Sequence, residues 1–250
     1  MRRVSTLRML TLGALVLGTA ACMSTVNPPV PPAGPVVSHP PGVTPPAMPE
    51  LTSVPPSLLL MLPDALEFQA PAPPRTVVRL ETDKGNIDIE VLRDWAPLGA
   101  ARFVNLVRYG YYDGNRFFRV TKDQWVQFGI NGDPEIASAW RDETFPDDPF
   151  TQSNVRGTVA FAFAVPNGRT TQVFINLRDN SATHDKEPFV PFGRVIDGMT
   201  VADAITSQYG EGPGGIRAGH QDPVFTGGNA YLAEKFPDLD YIRRAVIVPQ

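Results

Sequence analysis

The chain has 250 residues, 27 prolines, a single cysteine and a formal net charge of −4. One cysteine excludes an intrachain disulfide, and an acidic balance argues against nucleic acid or anionic lipid held by charge, since both need a basic surface. The three histidines, His39, His184 and His220, stand far apart without ligand spacing, so no metal centre is expected.

Residues 1–21 read as an export signal. Arg2, Arg3 and Arg8 form a positive start, Met9 to Leu17 is mostly apolar, and "LGTAAC" supplies small residues for cleavage. The apolar run is too short to span a bilayer as a helix. Cys22 after small residues resembles the lipobox of bacterial lipoproteins, in which that cysteine is acylated; "GTAA" suits the ordinary signal peptidase as well. The expected location is the bacterial cell envelope, on the periplasmic face of a membrane through a lipid on Cys22, or otherwise periplasmic or secreted. Removal of residues 1–21 takes three arginines and no acid, leaving the remainder more negative still.

Sixteen of the 27 prolines fall between Met23 and Arg75, in runs such as "NPPVPPAGP" and "HPPGVTPPAMP". Such a segment builds neither helices nor ladders and favours extended polyproline II, so residues 22–75 are expected to be an anchor and a proline-rich stalk. "SLLLMLPDALEF", Ser57 to Phe68, interrupts it, either as a short helix packed on the domain or on lipid, or as an apolar piece of linker.

Order is expected from Thr76, giving a domain over residues 76–250. Val78 and Leu80 before "DKG" and Ile87, Ile89 and Val91 after it alternate with polar residues, the pattern of a hairpin. Pro97 suits a first helical turn, Ala100, Phe103, Val104 and Val107 recur at helical spacing, and Gly110 ends the helix. Further strands are predicted at Arg116 to Val120, Trp125 to Gly129, Thr158 to Ala164, Val173 to Asn176, Phe192 to Val195 and Ala245 to Val248, and a second helix from Met199 to Gln208. Many short strands and two distant helices predict a mainly β fold, a closed antiparallel barrel capped by helices. The glycine-rich stretch beginning "YGEGPGGIRAGHQD" reads as an extended insertion before the last strand, either a loose loop or a cover over part of a groove.

The stretch "NRFFRVTKDQWVQFGINGD" sets a lone Arg119 among aromatic and apolar residues, with Gln127 eight positions on and no acid near enough in sequence to pair with it. Around it lie "AARFVNLVRYGYYDG", "GTVAFAFAVPNGRTTQVFINL" and "PFGRVIDGM". In that order, from about Val77 to the end, these pieces resemble the cyclophilin-type peptidyl-prolyl cis-trans isomerases. The resemblance implies an eight-stranded antiparallel barrel with a helix at each end, a monomer, no cofactor, and proline-containing polypeptide clients.

The resemblance also implies roles. Arg119 matches the catalytic arginine, which stabilises the amide twisted out of plane, and an acidic partner would only compete for its donors. Gln127 matches the glutamine that bonds substrate backbone and places the arginine. Phe174 matches the floor of the proline pocket, Gln172 another substrate-contacting glutamine, and Ala162 a small residue beside the peptide. Several positions depart from the family: Gln124 replaces a pocket aromatic, Trp125 a methionine, Phe163 a groove asparagine and Phe118 the histidine before the arginine. The tryptophan linked to cyclosporin binding has no counterpart, with His184 merely nearby. The rival reading is a cyclophilin-like module that holds proline segments as a chaperone or scaffold. "RDETFPDDPF", with Asp142, Glu143, Asp147 and Asp148, lacks a calcium-loop pattern and reads as a solvated acidic loop.

Overall fold

The computed structural model describes residues 55–211 and 215–249. The expected signal peptide, Cys22 and most of the proline-rich stalk lie outside these residues.

The predicted hairpin forms from β1 (Arg75–Thr82) and β2 (Asn86–Leu92), paired antiparallel with Val78 opposite Ile89 and Leu80 opposite Ile87. All four of these side chains are fully buried, as alternation toward one face requires. The remaining strands are β3 (Arg119–Thr121), β4 (Trp125–Phe128), β5 (Thr158–Phe161), β6 (Val173–Asn176), β7 (Pro191–Asp197) and β8 (Ile242–Val248). They form one eight-stranded sheet in the order β3-β4-β6-β5-β7-β2-β1-β8, every pair antiparallel. The sheet curls into a half-barrel around Leu80, Ile89, Phe128, Val159, Ile175 and Phe192. Its edges, β3 and β8, share no ladder. What joins them is one isolated bridge, Arg116 to Tyr241, with backbone bonds from Phe117 N to Asp240 O (3.0 Å) and Ile242 N to Asn115 O (2.8 Å).

Six α-helices accompany the sheet among the described residues, where sequence periodicity picked out two: α1 (Pro56–Leu59), α2 (Pro97–Arg108), α3 (Pro134–Trp140), α4 (Ser181–His184), α5 (Met199–Ala204) and α6 (Asp222–Lys235). The amphipathic α2 lays Ala100, Phe103, Val104 and Val107 against the barrel interior. Its own N-cap, Ala96, offers no side-chain acceptor. Asp148 supplies one from fifty residues away, accepting from Leu98 N at 2.9 Å and Gly99 N at 2.8 Å while itself buried. The acidic stretch is therefore not a merely solvated loop: one of its carboxylates satisfies orphan donors of a helix start.

The glycine-rich stretch is a second correction. From Asp222 it is helical, with Gly228 breaking the regular geometry at φ 53° and ψ −146°. A Cβ on Gly228 would stand 2.2 Å from Gly132 O, so only glycine allows α6 to approach so closely. α6 packs on α3, and Phe118, Ile130, Ala137, Val224, Phe225 and Leu232 form a second apolar cluster between them. Phe118, which departs from the family pattern, is thus an anchor for this helix.

Between the two readings of Ser57 to Phe68, the structure supports packing on the domain. Leu59, Leu60, Phe68 and Ala72 are buried in the main core. Trp140 Nε1 donates to Leu60 O at 2.8 Å, and Asn105 Nδ2 to Ala70 O at 2.7 Å. The packed body begins before Thr76.

Candidate active site

Cross-strand register assembles the site. Arg119 on β3 faces Gln127 on β4, and Gln127 faces Phe174 on β6, so the three stand in one row across adjacent strands. Directly opposed residues in a sheet share a face. Their neighbours Val126, Phe128, Val173 and Ile175 point the other way, into the core. On β5 the same outer face carries Ala160, opposite Phe174, and just past the strand comes Ala162, whose small side chain lines the groove.

Polar contacts fix the row. Arg119 Nη1 donates to Gln127 Oε1 at 2.6 Å, and Gln127 Nε2 donates to Gln172 Oε1 at 2.8 Å. The Arg119 guanidinium also sits 5.4 Å from the centre of the Trp125 ring. Beside the row is a cavity of about 270 Å³ with Phe174 and Trp125 in its wall, together with Phe163, His184 and Phe189. Its aromatics are mutually packed. Phe174 meets His184 and Phe189 edge-on at 5.4 Å each, Phe163 lies 4.5 Å from Phe189, and Trp125 lies 5.5 Å from His184. An apolar cavity with a few donors on one side suits a small apolar ring next to a polar backbone group. A second cavity, about 300 Å³, continues along the groove past Ala162, Gln172 and Thr144 to Arg141 and Phe225.

Most of the predicted residues come together: Arg119, Trp125, Gln127, Ala162, Phe163 and Phe174 line the first cavity, and Gln172 the second. Gln124 does not. Its carboxamide oxygen accepts from Arg178 at 3.3 Å, away from the cavity wall. Three wall residues escaped the sequence reading: His184, Phe189 and Ala218. For His184 the only signal was nearness to the expected aromatic position; for Ala218 it was the expectation that the glycine-rich stretch covers part of a groove, which its place in both cavity walls matches. Burial pushes the His184 imidazole below its usual 6.5, with Arg119 and Arg178 adding to the effect and Asp185 opposing it.

The larger correction concerns the lone cation. Arg119 has an acidic partner, Glu211, remote in sequence: Nε donates to Glu211 Oε1 at 2.7 Å, and an Nη lies 2.6 Å from the same oxygen. The Arg119 side chain is 17% exposed and that of Glu211 32%.

Comparisons agree with this geometry. The family model described as cyclophilin type peptidyl-prolyl cis-trans isomerase/CLD matches residues 77–220. A peptidyl-prolyl cis-trans isomerase of Acinetobacter baylyi is 35% identical over 155 residues, 58% of this chain and 81% of that protein. Peptidyl-prolyl cis-trans isomerase A of Dickeya dadantii is 33% identical over 143 residues, 56% of this chain and 75% of that protein. The crystal structure of a Cryptosporidium parvum cyclophilin, 19% identical, shares the fold with a TM-score of 0.51, covering 70% of this chain and 99% of its own; the same protein has also been solved in the presence of the dipeptide Ala-Pro. With a row of arginine, glutamine and phenylalanine on the outer face of an eight-stranded antiparallel sheet and a family match over more than half its length, the chain belongs to the cyclophilin-type peptidyl-prolyl cis-trans isomerases.

Proposed function

We propose that this isomerase turns X-Pro bonds of exported polypeptides in the groove between β4, β5 and β6, with Arg119 as the catalytic donor. The observation that carries the reading is the Arg119, Gln127, Phe174 row beside an apolar cavity large enough for a proline ring. Planarity of the amide opposes rotation by about 18–20 kcal/mol, because the nitrogen lone pair is shared with the carbonyl. Twisting returns that pair to nitrogen, where it becomes an acceptor absent from either planar form. A guanidinium beside the ring donates to the nitrogen, or to the neighbouring carbonyl, more strongly in the twisted state, and so lowers the barrier. Phe174, Trp125, His184 and Phe189 hold the ring, while Gln127 and Gln172 bond the peptide on either side. No cofactor takes part, and the enzyme works as a monomer.

In this proposal residues 1–21 are a signal peptide and Cys22 carries a lipid, with the proline-rich segment lifting the domain off the membrane. Palmitate-analogue labelling and detergent partitioning that are lost in Cys22→Ser test the anchor; equal partitioning of both proteins refutes it. A protease-coupled assay on a short Ala-Pro peptide, run with wild type and Arg119→Ala, tests the catalytic role.

A second reading, a module that holds proline segments with little turnover, draws on one observation: Glu211 occupies part of the arginine. It predicts peptide binding without isomerisation.

A further inference from the structure

The guanidinium of Arg119 has five N–H groups. Nε and one Nη are engaged by Glu211, and Nη1 gives one hydrogen to Gln127. A carboxylate is a stronger acceptor than an amide carbonyl or an amide nitrogen, and its charge cancels that of the guanidinium. The family chemistry needs none of this: Gln127 alone already orients the arginine, through a bond braced by Gln172.

Glu211 is held where it is. Its second oxygen accepts from Thr121 Oγ1 at 3.1 Å, two residues beyond Arg119 on the same strand. On the N-terminal side, Thr206 N donates to Asp240 at 2.7 Å, and Tyr209 packs on Phe236 at 5.1 Å while its hydroxyl accepts from Asp238 N at 3.1 Å. On the C-terminal side, Ile216 is buried in the second apolar cluster and Ala218 lines both cavities. The carboxylate is therefore held against Thr121 and against Arg119, which lines both cavities.

We propose that Glu211 is a specificity-determining residue: a carboxylate of the chain itself that competes with the client for Arg119 and is drawn off by clients carrying a lysine or arginine next to the proline. This inference rests on Arg119 being the catalytic donor. Neighbours of the bound proline lie one or two residues from Arg119, about 4–7 Å of chain, inside the screening length of about 8–10 Å, so they feel Glu211 directly. A cationic neighbour offers the carboxylate a replacement partner and leaves the guanidinium to the twisted amide. An anionic neighbour is repelled and leaves the pair closed.

The test measures kcat/KM on three peptides with lysine, alanine or glutamate before the proline, for wild type, Glu211→Gln and Arg119→Ala. Glu211→Gln is isosteric at a partly exposed position, and its fold is checked by its melting curve. The neutral peptide should turn over roughly three- to tenfold faster in Glu211→Gln, the scale of releasing a partly exposed charge-assisted pair. The wild-type preference for lysine over glutamate should collapse toward unity. A neutral-peptide rate that is unchanged or lower in Glu211→Gln overturns the proposal, as does an unchanged lysine-to-glutamate ratio. If Arg119→Ala is as fast as wild type, the catalytic assignment itself has failed; if it is slow while Glu211→Gln matches wild type, only the inference about Glu211 has.

Discussion

Arg119 and Gln127 face each other across the β3–β4 ladder, and the arginine donates to the glutamine's carbonyl oxygen at 2.6 Å. That bond leaves the glutamine amide free to donate to Gln172, so orientation passes from the residue just before β6 through β4 to the guanidinium. An interaction made only in the twisted state should show in kcat more than in affinity. A charge-assisted hydrogen bond of about 2–3 kcal/mol corresponds to roughly thirty- to a hundred-and-sixty-fold in rate. Arg119→Ala should lose at least about tenfold in turnover while keeping most of its peptide affinity, and Arg119→Lys should not restore it, because an ammonium lacks the planar fork. Gln127→Ala should fall less, since it removes the placement and not the donor. Turnover by Arg119→Ala equal to wild type would remove the arginine from the mechanism.

The cavity floor gives an independent check. Phe174 is 3% exposed and touches His184 and Phe189 edge-on. Phe174→Ala should weaken binding of an Ala-Pro peptide by about 1–3 kcal/mol, through lost apolar contact. Trp125, on the same wall, reports it: saturating peptide should shift its fluorescence in wild type. A spectrum that stays unchanged at saturation would put the proline elsewhere.

The row of the site was legible because the pieces that hold Arg119, Gln127 and Phe174 resemble the cyclophilin family's motifs in order. Alternation places Arg119, Gln127 and Phe174 outward wherever Val120, Val126 and Ile175 face inward, and antiparallel pairing then aligns them. Glu211 was illegible for the opposite reason: it lies 92 residues from Arg119 in a segment without periodicity, so its position is set by tertiary anchors such as Tyr209 and Phe236. α6 was hidden by Gly227 and Gly228, which read as loop; here Gly228 permits the close approach to Gly132. Asp148 looked like surface charge because capping across fifty residues leaves no mark in either local sequence.

His184 should make the pocket sensitive to acid. Its imidazole, half-buried and pushed below the usual 6.5, binds fewer protons in the folded than in the unfolded chain between its lowered value and 6.5. Stability then rises with pH across that window. The contribution is intact above about pH 6.5 and is lost as pH falls through the folded-state value. A cationic ring among Trp125, Phe174 and Phe189 should also disfavour the proline, so peptide affinity should fall over the same range. His184→Phe should flatten both dependences when melting point and affinity are followed from about pH 8 to about pH 5. Parallel curves for wild type and variant would exonerate the histidine.

Asp148→Ala should destabilise the domain without touching the groove. It strips the acceptors from Leu98 N and Gly99 N at a helix start whose own cap residue is alanine. Loss of a helix cap costs about 0.5–2 kcal/mol, or roughly 1–8 °C in melting point for a domain of this size. kcat/KM measured well below the melting point should stay near wild type. An unchanged melting point would mean that solvent satisfies those amides equally well.

The segment before β1 should prove part of the folding unit, although its composition is that of a linker. A chain beginning at Arg75 loses the burial of Leu59, Leu60 and Phe68, and the edge-on contacts of Phe68 with Trp140 at 4.8 Å and Tyr109 at 5.2 Å. It also leaves two buried donors without acceptors, Trp140 Nε1 and Asn105 Nδ2, each a penalty of about 1–3 kcal/mol unless water reaches them. Against this stands the backbone entropy regained by the deleted residues, about 1–2 kcal/mol for each one ordered, which offsets most of the apolar term and leaves the orphaned donors to decide the sign. The shortened protein should therefore fold, with a melting point lower by roughly 5–15 °C, and Phe68→Ala in the full chain should give part of that loss. A chain starting at Arg75 that melts with the full-length protein would mean the segment rests on the barrel without stabilising it.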